Sequence, residues 1–141
     1  MQEYTFSEDC EKWFAEVIAK LFELSSKSNY NSEQIVTTML TNELWISMLL
    51  ARNIHYYCTG YNYTLRHIVE SGNIQKGNTY NSYVMWSYGY LIKWWLYKFP
   101  QDIDYIQKVL PLSLFETGFD YWHTQGWNKC VNTLHSKVLE L

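Results

Sequence analysis

Proline and glycine are scarce in this chain of 141 residues, with only 2 Pro and 6 Gly. All-β sandwiches usually need more turn residues than that, so the shortage favours helices. Cysteine is nearly as rare. Cys10, Cys58 and Cys130 are odd in number and far apart, and none forms a Cys-x-x-Cys pair. That excludes a disulfide framework or a zinc-finger spacing and suits free thiols in a reducing, cytoplasmic setting. Arginine occurs only at positions 52 and 66, and no basic run or stripe is present. Direct nucleic-acid binding is therefore not expected. No stretch offers the ~20 clean apolar residues of a membrane span. The polar, acidic N-terminus does not read as a signal peptide. Gly-rich phosphate loops, G-x-S-x-G elbows and H-E-x-x-H motifs are missing, as are repeats, linkers and low-complexity segments. Alanine is confined to positions 15, 19 and 51.

What the chain has instead is aromatic residues: 13 Tyr, 7 Trp and 6 Phe, or 18% of all positions. Each ring brings about 150–250 Å² of surface. With so few small residues to interleave, several rings are expected to stay partly exposed, where Tyr and Trp make effective binding material. The abundance of Tyr and Asn beside scarce Ala and Arg accompanies AT-rich coding, as in low-GC bacteria, their phages and some viruses. The net charge is −3. Glu3, Glu8, Asp9, Glu11, Glu16 and Glu23 against Lys12 and Lys20 give residues 1–24 a charge of −4.

The periodicity predicts an all-α, single-domain bundle of five to six helices over 1–141. Residues 7–24 carry Trp13, Phe14, Val17, Ile18, Leu21 and Phe22 at the spacing of one helical face, with Ser7 as N-cap. A second helical region covers 32–58, with Asn31 and Gln34 at capping-box spacing and a break at Thr41–Asn42–Glu43. A short helix over 63–71 ends at Gly72, and 72–81 reads as loop. Residues 82–99 are apolar nearly all round. A helix stopped by Pro100 is the first reading, and an α+β fold with a small hairpin at 82–99 is the alternative. Pro100 opens a further helix that Pro111 ends. The last stretch, 112–140, reads as one long helix or two broken at Gly126.

Arg52-Asn53 resembles the start of the Arg-Asn-x4-His signature of HEPN ribonucleases, which are helical domains of about this size. Cys58 stands at the histidine position and His55 is out of register, so no ribonuclease activity is carried over. A metal set can be drawn from Glu116, Asp120 and His123, which share one face if their helix is continuous. His67 and Glu70 would supply a second half, as in di-iron bundles. The plainer reading is a solvated helix face, and no tightly bound metal or other cofactor is expected. The repeat Asp9–Glu16–Glu23 is likewise read as the wet side of an amphipathic helix.

The segment 80–99 holds nine rings in twenty positions. As a central helix it would bury them. As a patch it would serve a partner protein, self-association or a planar ligand. The interface or ligand candidates are Trp86, Tyr90, Trp94, Trp95, Tyr97, Trp122 and Trp127. The expected function is a non-enzymatic accessory protein that binds another protein through aromatic surface, of inhibitor or immunity type, as phage and mobile-element anti-defence proteins are. The alternatives are a binder of a planar ligand such as a nucleotide, and a metal-dependent helical enzyme.

Overall fold

Helix α1, Glu8–Lys27, begins where Ser7 Oγ accepts the Cys10 amide at 3.3 Å, with Glu8, Asp9 and Glu11 in its first turn and Lys27 in its last. Acids at the start and a cation at the end complement the helix dipole. The computed structural model describes residues 6–141, so Glu3 of the acidic stretch lies outside it. Phe14, Val17, Ile18, Leu21 and Phe22 turn inward as their spacing predicts, whereas Trp13 stays 45% exposed. Lys20 and Lys27 both pair with Glu23, at 2.7 and 3.5 Å.

α2 (Ser32–Thr41) and α3 (Glu43–Leu49) are separated at Asn42, whose Oδ1 accepts the Leu44 amide at 3.0 Å. Asn31 caps α2 by accepting the Gln34 amide, but Gln34 Oε1 accepts from the Gln75 amide instead of reaching back to Asn31. A 3-10 turn at His55–Tyr57 leads into α4 (Tyr61–Gly72), which stops at Asn73 in the left-handed region, φ 48°. Residues 73–81 are loop, tied back by a single bridge between Tyr30 and Lys76 and by Ser32 Oγ accepting the Tyr80 amide.

α5, Ser82–Lys98, settles the alternative at 82–99: it is a helix, capped by Asn81, and no strand occurs among the described residues. It is the central element, buried on nearly every side. α1 lies along it. Gly89 makes that approach close. A Cβ there would come within 2.9 Å of Phe22 Cγ and 3.1 Å of the Ile18 carbonyl oxygen. One turn further on, Lys93 Nζ donates to Glu11 Oε2 at 2.6 Å, with both residues buried. Burial pushes the Lys93 ammonium below its ordinary pKa, against the opposing pull of Glu11.

The remaining chain is more finely divided than the sequence suggests. A 3-10 segment (Pro100–Tyr105) runs into α6 (Ile106–Val109), followed by α7 (Leu112–Thr117), α8 (Phe119–Thr124) and α9 (Trp127–Leu139). The described residues thus hold nine α-helices against the five to six expected. The additional breaks fall where Gly118 interrupts 112–124 and where the chain tightens into 3-10 geometry after Pro100. One cluster of apolar side chains joins these elements, with Trp45, Trp94, Trp95 and Tyr88 among its largest fully buried members.

Candidate aromatic cleft

Position 83 and its helical neighbours at 86, 87, 90 and 91 follow the i, i+3, i+4, i+7 rule, so they share one face of α5. That face is the part of α5 that neither α1 nor the rest of the core covers completely. Tyr83 is 50% exposed, and Trp86 and Tyr90 are half-buried. The three rings form a column. Trp86 stacks on Tyr90 at 4.9 Å and 12°, and Tyr83 lies nearly parallel to Trp86 at 6.5 Å and 9°.

The facing wall comes from the C-terminal part of the chain. Trp122 and His123 of α8 and Trp127 of α9 look across at the column and enclose a cleft of about 200 Å³. Phe115 and Cys130 form part of its lining. Gly118 permits this arrangement, because a Cβ there would sit 3.2 Å from Trp122 Nε1. His123 stacks on Phe119 at 5.1 Å and 13°, with its ring nitrogens 3.5 Å from the Tyr83 hydroxyl. Trp127 stacks on the buried Trp94 at 4.1 Å and 9°, so the outer ring of the cleft is backed by a core ring.

Among the described residues, no carboxylate, lysine or arginine lines the cleft. Its thiol is not activated, since burial pushes Cys130 above its ordinary pKa and the Sγ lies 3.7 Å from the Trp122 carbonyl oxygen. The chemistry available is apolar contact, ring stacking and hydrogen bonds from the Trp, Tyr, His, Ser and Gln side chains of the lining.

Four of the seven predicted interface residues therefore converge: Trp86, Tyr90, Trp122 and Trp127. Trp94 and Trp95 do not belong to the surface. They are 2% and 0% exposed, which is the core role of this segment. They are adjacent on a helix, so they point about 100° apart, and each carries a different partner. Trp94 stacks on Trp127, and its Nε1 has no hydrogen-bond partner among the described residues. Trp95 Nε1 donates to the buried Asp102 at 2.9 Å, whose same oxygen lies 2.8 Å from His135 Nδ1. Tyr97 is half-buried against the edge of Trp94, outside the cleft lining.

The metal candidates stay apart. The helix break at Gly118 separates Glu116 on α7 from Asp120 and His123 on α8, so the continuous face that their spacing requires does not form. His67 packs on Tyr63 and Tyr56, and Glu70 is exposed on α4. No group of three or more His, Cys, Asp or Glu side chains converges among the described residues. Arg52 and Asn53 lie exposed in the turn after α3, where Asn53 Oδ1 accepts the His55 amide. No helix among the described residues is long and apolar enough to cross a membrane.

The sequence reading missed two polar pairs, Glu11–Lys93 and Asp102–His135. Comparison with known proteins adds no functional assignment: no family model, curated protein or solved structure matches the chain.

Proposed function

We propose that the protein acts by binding another protein, seating an apolar or aromatic side chain of that partner in the cleft between α5 and α8–α9. The observation that carries this is the cleft itself, about 200 Å³, with walls of half-exposed Trp and Tyr and no Asp, Glu, Lys or Arg in its lining among the described residues. Pockets for drug-sized ligands and cofactors run to roughly 300–1,000 Å³, so this one is sized for a single side chain rather than a nucleotide. Rigid, partly exposed Trp and Tyr rings are the residue types that dominate binding energy at protein interfaces. Within this class we propose an inhibitor- or immunity-type accessory protein, a role supported by the surplus aromatic surface and the composition bias toward Tyr and Asn.

The test is a photo-crosslinking amino acid at Ser87, in the cleft lining, followed by identification of the crosslinked protein and measurement of its affinity. Trp86→Ala or Trp122→Ala should weaken that complex by about 2 kcal/mol or more, as hot spots do, with the circular dichroism spectrum unchanged. Affinity that is indifferent to both substitutions would remove the cleft from the interface.

A further inference from the structure

A second aromatic surface lies away from the cleft, on the 3-10 turn at His55–Tyr57 and on α4. Between Leu44 and Val69 the chain has no Asp, Glu or Lys, yet this stretch contains both arginines and two of the four histidines. The most cationic part of an acidic protein is thus also rich in tyrosine.

The fold gathers these residues into a ring cluster. Tyr63 packs on His67 at 4.5 Å, and Tyr56 meets His67 at 5.8 Å and lies parallel to Tyr63 at 6.4 Å. His55 sets its edge against Tyr56 at 4.9 Å. The Arg66 guanidinium stands 5.7 Å from the Tyr63 centroid. Tyr63 is 42% exposed, and its hydroxyl makes no hydrogen bond within the described residues. Arg66 pairs with no carboxylate among them; Glu70, one turn on, is not within ion-pair distance.

We propose that this surface binds single-stranded nucleic acid, with a base stacked on the exposed Tyr63 ring and an adjoining phosphate on Arg66. An exposed ring face takes any base, and a guanidinium adds both a phosphate contact and a stacking plane. An acidic protein segment would satisfy Arg66 equally well but would leave the rings without a planar partner. With one phosphate contact the binding is weak and only shallowly salt-dependent, with a slope of log affinity on log salt of about −0.7. No basic run marks this surface in the sequence because it rests on Arg66 alone, beside rings that the turn and one face of α4 bring together. This surface shares no residue with the cleft, so the two readings stand or fall separately.

The experiment is fluorescence anisotropy of a labelled oligothymidylate of roughly 12 nucleotides with the whole protein at low salt. Binding is expected. Tyr63→Ala and Arg66→Ala should each weaken it at least about fivefold, while Tyr63→Phe and Trp86→Ala leave it unchanged. All three positions are at least partly exposed, so circular dichroism should show an intact fold. A duplex of the same sequence, whose bases are already stacked, should bind less tightly. No binding at protein concentrations up to about 1 mM would overturn the proposal. So would equal affinity for polyglutamate, or indifference to Tyr63→Ala.

Discussion

The neighbouring tryptophans of α5 permit a comparison in which one residue serves as control for the other. Both indoles are buried, both belong to the same helix, and replacement by Phe removes the same atoms from each. Their polar environments are opposite. Trp95 Nε1 donates to a buried carboxylate at 2.9 Å, whereas Trp94 Nε1 has no partner among the described residues. Trp95→Phe loses a hydrogen bond to a charged group, about 1.5–3 kcal/mol, and Trp94→Phe relieves a buried unsatisfied donor that costs about 1–3 kcal/mol. The cavity terms are similar and largely cancel in the difference. Trp95→Phe should therefore be less stable than Trp94→Phe by at least about 2 kcal/mol, out of a total of ~5–15. In urea this appears as a lower midpoint at unchanged slope, and in thermal melts as a gap of roughly 4–8 °C. Equal losses would refute the reasoning, because they would mean that the two indole N–H groups see equivalent surroundings.

Gly89→Ala should destabilise the fold even though Ala is the better helix former by about 1 kcal/mol. The new methyl would meet Phe22 and the Ile18 carbonyl at 2.9 and 3.1 Å, an overpacking cost of about 1–3 kcal/mol, and a melting temperature above that of the parent would refute it. The second expectation concerns alkaline pH. Burial raises Tyr57 and Tyr88 well above the ordinary value of 10.0, and their hydroxyls donate to the Met48 and Leu110 carbonyls, each at 2.7 Å. Because the folded state holds these protons more tightly than the unfolded state, their contribution is complete below pH 10 and is lost as the pH rises above it. Phenolate absorbance should rise in two steps, the second coinciding with loss of the helical spectrum, and one early step for all tyrosines would contradict the burial.

Helix boundaries were legible wherever a cap and a face coincided. Ser7, Asn31 and Asn42 each accept an amide where their spacing put them. The C-terminal part was harder, because a side-chain pattern shows which residues face inward but not whether the backbone between them is continuous. Phe115, Trp122 and Cys130 all line the cleft, yet they sit on three helices rather than on one or on two broken at Gly126. The same discontinuity dissolved the Glu116–Asp120–His123 face. Within the aromatic segment, hydrophobicity alone could not separate Trp86 from Trp94, since both are eligible for a core and the second is covered by Trp127 of α9 from far along the chain. The buried pairs did leave a trace. Glu11 precedes Phe14 and Ile18 by three and seven residues on the apolar face of α1, and Lys93 interrupts the most apolar stretch of the chain. A charge in a core register is a sign that a countercharge faces it.

That pair also determines how α1 and α5 can be aligned. Two apolar helix faces slide past one another with little penalty if the ridges are re-seated one turn along, a step of about 5.4 Å. Such a shift would pull Lys93 Nζ and Glu11 Oε2 out of their 2.6 Å contact while leaving both in the interior. Breaking a buried pair costs about 3–5 kcal/mol, a large share of the stability of a domain this size. The pair acts as a pawl on a ratchet, contributing little to net stability in the correct notch while making every other notch costly.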